Sequence, residues 1–262
     1  MLHRDRVRAG SFGNDAERYD RSRPSYPQAL ADDLASGLGT SPRVLDVGCG
    51  TGIAARLFVA RGCTVLGVEP DARMARVARR HGVEVEAGTF EQWEPGGRQF
   101  DLLVAGQSWH WVEPDRGAAK AAAVLRAGGR VGLFWNQSLL PAALRRKLSA
   151  VYRELAPGLD GSSVALGHLS DGRFARTARA LVDTGWFHVP ALRAYTWRRV
   201  STKQEWLDQL PTHSDHGALA PGDLAALLEA VGGVLERAGS PFELTLRTWL
   251  VTARRTAARR QP

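Results

Sequence analysis

The residues whose spacing suggests binding chemistry form one short stretch, VLDVGCGTG, at positions 44–52. Its first four residues are apolar except for Asp46, and glycines then occupy alternate positions: Gly48, Gly50 and Gly52. An alanine-rich segment over 53–60 follows, so the pattern predicts a strand, a glycine turn and a helix. In a parallel α/β sheet such a unit brings bare backbone close to a ligand, because side chains in the turn would block the approach.

Two ligands suit a glycine-rich first turn: a dinucleotide and S-adenosylmethionine. The dinucleotide pattern needs a third glycine five positions after the first, and that position is Ile53. Asp46 would repel a pyrophosphate, whereas it would attract the ammonium and sulfonium groups of S-adenosylmethionine. Glu69 follows the predicted strand Thr64–Val68 and can accept hydrogen bonds from the ribose hydroxyls of either ligand. The two carboxylates together favour S-adenosylmethionine.

The stretch 46–52 resembles motif I of the class I S-adenosylmethionine-dependent methyltransferases, an acidic residue followed by Gly-x-Gly-x-Gly. The resemblance covers about residues 12–254. It implies an α/β fold with a doubly wound, Rossmann-like, seven-stranded and mostly parallel sheet. Phe12, Tyr19 and the RSRPSYP run from Arg21 are similar to the N-terminal lid of the trans-aconitate-methyltransferase-like branch (methyltransferase type 11). In that branch a tyrosine placed like Tyr19 approaches the donor or the reaction centre.

Candidate cofactor-binding residues follow from the two motifs and from the carboxyl ends of the next strands. They are Tyr19, Asp46, Gly48, Cys49, Gly50, Glu69, Pro70, Thr89, Phe90 and Gln107. Thr89 departs from the family, which usually carries an acidic residue there to touch the adenine amino group. We therefore expect the backbone of Thr89 and Phe90 to read the edge of the ring.

Three histidines are candidates for chemistry on the acceptor. His110 lies in a Trp-His-Trp segment that resembles the corresponding loop of the trans-aconitate-like branch, and it is the candidate general base. Packing between Trp109 and Trp111 is the alternative role for its ring. His213 and His216, with Trp109, are candidate acceptor-binding residues, although a solvated loop explains the Thr-His-Ser-Asp-His cluster equally well. The spacing predicts no metal site.

The amino-acid composition excludes several classes of protein. The chain has 262 residues with 44% hydrophobic and 24% charged residues, two cysteines, and neither an apolar run of membrane-spanning length nor a signal-peptide core. We therefore expect a cytoplasmic protein without a membrane partner. Its net charge of +8 comes mostly from arginines, many of them near the ends of the chain, which we interpret as solvated tails. The absence of an Asp/Asn-Pro-Pro-aromatic motif after the fourth strand argues against nucleic acid as the acceptor.

The predicted organisation has four parts: a leader and helical lid over 1–30, a methyltransferase domain over 31–253, a cap inserted after strand 5 at about 137–182, and a basic tail over 254–262. The predicted function is methyl transfer from S-adenosylmethionine to a small molecule, first of all to the oxygen of a carboxylate or hydroxyl. Methylation of nitrogen or carbon in a natural-product intermediate, and RNA methylation, are alternatives. A binding module without turnover and an NAD-dependent oxidoreductase are rivals from other classes. A monomer or homodimer is expected.

Overall fold

A computed structural model describes residues 5–159, 167 and 171–259. A sheet forms its centre, with strands β1 (Arg43–Val47), β2 (Thr64–Glu69), β3 (Glu84–Ala87), β4 (Phe100–Gly106), β5 (Leu125–Leu139), β6 (Ala191–Ser201) and β7 (Phe242–Arg254). Their spatial order is β3-β2-β1-β4-β5-β7-β6. The first five strands pair in parallel, and β7 is antiparallel to both β5 and β6. The predicted α/β fold with a seven-stranded, mostly parallel sheet is confirmed.

Helices cover the sheet and its edges. They are α1 (Arg6–Ala9), α2 (Ala16–Ser22), α3 (Gln28–Ala35), α4 (Ile53–Val59), α5 (Ala72–Arg80), α6 (Pro114–Val124), α7 (Ala142–Leu155), α8 (Asp171–Asp183), α9 (Lys203–Gln209) and α10 (Pro221–Ala238). Within the described ranges, none of them combines the length and low polarity needed to cross a membrane.

Local sequence explains where several helices begin. Asp71 caps α5, because its side chain accepts a hydrogen bond from the Arg73 amide at 2.9 Å. Glu113 caps α6 ahead of Pro114, whose missing amide hydrogen costs nothing in a first turn. Thr202 and Glu205 form a reciprocal capping box at the start of α9. These caps fix the helices that follow the strands bordering the site.

Buried side chains form cores on both faces of the sheet. One contains Leu45, Leu103 and the α6 alanines, and the other contains Leu30 and Phe58 beneath α3 and α4. Because both faces are covered, β1 and β4 read as nearly continuous apolar runs. A further core lies where α7, α9 and α10 pack against the extended end of β7 around Leu244. This third core supports the wall of the site opposite the glycine turn.

The structure corrects the predicted start of the basic tail. β5 runs from Leu125 to Leu139, and β7 pairs with it antiparallel from Arg130 onward. The basic tail is not a solvated segment at its start: Arg254 ends β7, and Arg255 donates from Nε to the Ala122 carbonyl at 2.7 Å. Parts of the predicted leader (1–4), cap (160–166 and 168–170) and tail (260–262) lie outside the described residues.

Candidate cofactor and active site

The glycine turn after β1 brings bare backbone to the carboxyl edge of the sheet. The amides of Gly48 and Cys49 both donate to the Val68 carbonyl of β2, at 2.8 and 3.2 Å. Gly48 has a φ of 62°, and a Cβ on it would lie 2.7 Å from the Ser108 Cβ. A side chain at this position would therefore be strained and would collide with the loop after β4. The turn needs glycine here for both reasons.

Glu69 links the turn to the end of β2. Its Oε2 accepts from the Gly50 amide and its Oε1 from the Asp71 amide, both at 2.9 Å. Burial raises the pKa of the carboxyl to about 7, although the two backbone hydrogen bonds oppose the rise. A carboxylate has about four acceptor positions, so Glu69 can still accept hydrogen bonds from a ligand.

Asp46 lies beneath the turn, with no exposed surface. Among the described residues, neither carboxylate oxygen makes a hydrogen bond, and a backbone interaction with Ala55 falls outside hydrogen-bond geometry. Burial, followed by the negative charge of Glu69, raises the pKa of Asp46 to about 7. A buried carboxylate without a hydrogen-bond partner is costly. Its position under the turn fits a ligand that carries positive charge.

A cavity of about 430 Å³ opens over the turn. Six predicted cofactor-binding residues line it: Gly48, Gly50, Glu69, Pro70, Thr89 and Phe90. Tyr19 and Gln107 line it from α2 and from the end of β4. The Gln107 backbone has a φ of 58°, a strained conformation for a residue with a side chain. The structure thus brings eight of the ten predicted cofactor residues to one cavity.

Two predicted cofactor residues do not line this cavity. Asp46 is covered by the turn, as described above. The Cys49 side chain turns toward β2, where its Sγ would lie 2.5 Å from a Cβ on Gly67. The absence of a side chain at Gly67 makes room for the sulfur, so the cysteine packs in the core instead of facing a ligand.

The N-terminal segment lies across one side of the cavity. Phe12 and Tyr19 line it, and Phe12 packs edge-on against both Tyr19 and Trp111, with ring centroids 6.0 and 5.7 Å apart. Arg73 of α5 holds the segment by donating to the Gly10 carbonyl at 2.8 Å and to the Asn14 side chain at 3.0 Å. This side of the cavity therefore depends on contacts between α5 and residues 10–19.

The far side of the cavity carries arginines from three separate segments: Arg8, Arg23 and Arg173. The candidate site residues predicted from the sequence include none of the three. No spacing signal distinguishes Arg173 from its neighbours Arg176 and Arg179, which point to the surface. Only the packing of α8 against α6 and β7 selects it.

His110 lines the cavity, but its contacts do not suit a general base. Its Nδ1 accepts a hydrogen bond from Trp135 Nε1 at 3.3 Å and lies 3.3 Å from a terminal nitrogen of Arg173. Both neighbours can only donate, so Nδ1 must be the unprotonated nitrogen and Nε2 carries the proton. Burial, with the Arg173 charge next, lowers the pKa of His110 to about 3. The geometry therefore makes His110 a neutral hydrogen-bond donor rather than the predicted base.

The predicted acceptor-binding residues are divided between cavity and core. Trp109 is buried against Phe90 and α6, whereas Trp111 lines the cavity. A short 3-10 turn directs the two side chains to opposite sides. His213 lines the cavity, and burial lowers its pKa well below the usual value. His216 is fully buried away from the cavity. Its Nε2 lies 2.6 Å from the Tyr152 hydroxyl, and its Nδ1 lies 2.7 Å from Asp215.

Comparison with known proteins identifies the domain that holds the glycine turn. Residues 44–129 match the family profile described as a methyltransferase domain. This segment is similar to a methyltransferase domain. The cofactor of this family is S-adenosylmethionine. The match begins in β1 and ends in β5, so it covers the donor side of the cavity and the His110 loop.

Similar proteins extend the comparison. An uncharacterised methyltransferase of Mycobacterium tuberculosis is 41% identical over 128 residues, covering 48% of this chain and 52% of that protein. A ubiquinone biosynthesis O-methyltransferase of Rhodopseudomonas palustris is 34% identical over 138 residues, covering 49% and 50%. The chain thus spans about half the length of these relatives. A solved protein of Anaeromyxobacter dehalogenans, named as a type II methyltransferase, has the same fold, with a TM-score of 0.59 at 22% identity and coverage of 89% and 97%.

The residues of the matched segment fit S-adenosylmethionine. Glycine backbone approaches where a Cβ on Gly48 would not fit, and the unpartnered Asp46 carboxylate lies beside it. Glu69 retains acceptor positions at the end of β2, and the Phe90 ring borders the same cavity. Among the described residues, no group of histidines, cysteines and carboxylates is arranged to hold a metal ion.

Proposed function

We propose that this protein transfers a methyl group from S-adenosylmethionine to an oxygen atom of a small-molecule acceptor. The observation that carries the proposal is the charge pattern of the cavity. Glu69 and the underlying Asp46 are acidic at the end formed by β1 and β2. Arg23 and Arg173 are basic at the end near β4 and β5. A cationic donor and an anionic acceptor would each meet opposite charge.

The donor end would bind and orient the cofactor through three groups. When bound, S-adenosylmethionine supplies an electrophilic methyl group on a positively charged sulfur. Glu69 would accept hydrogen bonds from the ribose hydroxyls, because its carboxylate is held rigidly by two backbone amides. Phe90 would border the adenine ring, and Asp46 would stabilise the positive charge of the donor from beneath the turn. Alignment and exclusion of water are the main contributions of such a site.

A carboxylate is the favoured acceptor because neither His110 nor Asp215 is suited to remove a proton. His110 is held neutral with Nδ1 occupied, and Asp215, which also lines the cavity, has its pKa lowered by His216. A carboxylate has already lost its proton at neutral pH. One of its oxygens would form the new bond to the methyl carbon while the electron pair of the broken carbon–sulfur bond goes to sulfur. No proton needs to be removed, so a hydroxyl acceptor is the second choice.

A lid role for the N-terminal segment follows from the same geometry. Phe12 and Tyr19 line the cavity, and this segment carries the residues that resemble the trans-aconitate-methyltransferase-like branch. We assign the chain to that branch on this resemblance. Arg73, Arg56 and Asp20 would hold the lid closed, since Arg56 binds the Asp20 carboxylate of α2 at 2.9 Å.

A small molecule is favoured over RNA because the side chain of Arg255, near the C-terminus, is engaged in the fold. Arg255 lies 4.8 Å over the Trp186 ring and donates to the Ala122 carbonyl. An RNA-binding arm would need arginines free to neutralise phosphates.

An acceptor screen tests the proposal. The purified chain is incubated with S-adenosylmethionine and size-matched sets of carboxylic acids, phenols and amines, and S-adenosylhomocysteine is measured by mass spectrometry. We expect product with at least one carboxylic acid, recovered as its methyl ester. Glu69→Gln serves as the inactive control. Product only with amines would replace O-methylation by N-methylation, and cofactor binding without product from any set would favour a binding module.

A further inference from the structure

Arg173 is a cation whose charge is not balanced by the protein. The side chain projects from α8 into the cavity and is half-buried. Burial, followed by the nearby charge of Arg176, lowers the pKa of its guanidinium. Among the described residues it forms no ion pair, and its one polar contact is the neutral His110 ring at 3.3 Å. A partly buried guanidinium without an anion is unfavourable, so the cavity is completed by an anionic ligand at this point.

The other two arginines of the cavity are already engaged. Arg23 donates from Nε to the Thr212 hydroxyl at 2.8 Å and from a terminal nitrogen to the Thr212 carbonyl at 2.6 Å. Arg8 donates to the Ser214 hydroxyl at 3.1 Å and lies 3.9 Å from the Asp5 carboxylate. These contacts fix the two side chains against the 212–214 loop and the N-terminal segment. Arg173 therefore differs from them in that most of its N–H donors remain available to a ligand.

The contact between Arg173 and His110 also determines what the imidazole can offer. Because the guanidinium and the Trp135 indole both donate to Nδ1, the Nε2 hydrogen is the polar group that His110 retains for a ligand. An arginine and a neutral imidazole N–H side by side provide several donors and no acceptor. This donor set matches a planar carboxylate, which accepts parallel hydrogen bonds from a guanidinium.

We propose that Arg173 and His110 together bind the carboxylate of the acceptor, the guanidinium supplying the charge and the imidazole Nε2–H a second hydrogen bond. This inference rests on the proposed function, since it assumes that the acceptor enters the same cavity as the donor. It assigns His110 to binding and orienting the acceptor, and it makes Arg173 the residue that selects acids over neutral compounds.

Binding of matched acid and amide pairs tests the inference. The protein is saturated with S-adenosylhomocysteine and titrated by calorimetry with benzoate and benzamide, phenylacetate and phenylacetamide, and hexanoate and hexanamide. For at least one pair we expect the acid to bind about tenfold more tightly than the amide, because a charge-assisted pair replaces a neutral hydrogen bond. Arg173→Gln should abolish this preference, and Arg173→Lys should retain part of it.

Arg176→Gln is the matched control. Arg176 lies on the same helix but is exposed, so the same change in charge should leave the preference for acids intact. An acid preference that survives in Arg173→Gln, or amides that bind as tightly as acids to the unmodified protein, would overturn the inference. Inorganic phosphate binding more tightly than every acid, and with the same dependence on Arg173, would also overturn it. Failure of the unmodified protein to bind S-adenosylhomocysteine would instead remove the proposed function on which the inference rests.

Discussion

The donor half and the acceptor half of the cavity are assembled in different ways. The donor half comes from the ends of neighbouring parallel strands: Gly48 after β1, Glu69 at the end of β2, and Phe90 after β3. The acceptor half comes from Arg8, Arg173 and the 213–215 loop, which are far apart in the chain and lie on different elements. The sheet thus builds one half directly, while segments laid over the sheet build the other.

The two halves also carry opposite, unbalanced charges. Asp46 and Glu69 are buried acids whose pKa values rise to about 7, and Arg173 is a cation without a carboxylate partner among the described residues. Each half therefore costs stability until a ligand of the opposite charge arrives. The difference is therefore one of charge as well as of assembly.

Glu69→Gln should give the largest effect and should affect the donor half alone. The change removes a negative charge from the cavity wall and weakens the bracing of the Gly50 amide. We expect the Kd for S-adenosylmethionine, measured by calorimetry, to rise about 100-fold. Glu84→Gln, an exposed carboxylate at the start of β3, is the control and should leave the Kd unchanged. An equal loss of donor affinity in Arg173→Gln would show that the two halves are not separable.

Asp46→Asn should make the ligand-free protein more stable at pH 8 but not at pH 5. The pKa of Asp46 is about 7 in the folded state against 3.8 when exposed, so its stability contribution is full below pH 4 and is lost as the pH rises through 7. We expect a gain of roughly 2 kcal/mol in the free energy of unfolding at pH 8, measured with urea.

Asp101→Asn should have the opposite effect on the stability of the protein. Asp101 lies at the start of β4, where its carboxylate accepts from the Arg43 amide at 2.6 Å and pairs with Arg126. Removing its charge should destabilise the protein at pH 8. If Asp46→Asn were equally destabilising there, the Asp46 carboxylate would have a partner in the free protein.

The smallest expected effect concerns the protonation of His110. Its pKa of about 3 in the folded state is below the 6.5 of an exposed histidine, so the ring should stay neutral at pH 5, with the proton on Nε2. Stability from this residue is present above pH 6.5 and is lost as the pH falls toward 3. Nitrogen-15 NMR of the imidazole would measure both its charge and the position of its proton. Arg173→Gln should raise the pKa of His110, because a neighbouring cation is removed. A ring that is charged at pH 5 would restore His110 as an acid or base.

Sequence patterns predicted the sheet and most of the donor half. The glycine spacing, Glu69 and the Asp71 cap are local features, and the ends of parallel strands meet at one edge by the geometry of the fold. The same reasoning was less successful for directions of side chains. It assigned Cys49 to the ligand and Trp109 to the acceptor, but Gly67 gives the sulfur room in the core and a 3-10 turn points the indole inward. Neither the space beside Gly67 nor the direction of the turn can be identified from a local sequence pattern.

The sequence by itself determined the fold class, the donor turn and the acidic residues that surround it, because each depends on residues close in the chain or on the regular order of strands. Only the tertiary structure decided the protonation and hydrogen bonding of His110. It also decided which arginine keeps N–H donors free for a ligand. A protonation state depends on burial and on hydrogen-bond partners, and the partner of His110 lies 63 positions away on α8. Such contacts are set by how helices pack on the sheet, which no spacing within the chain specifies.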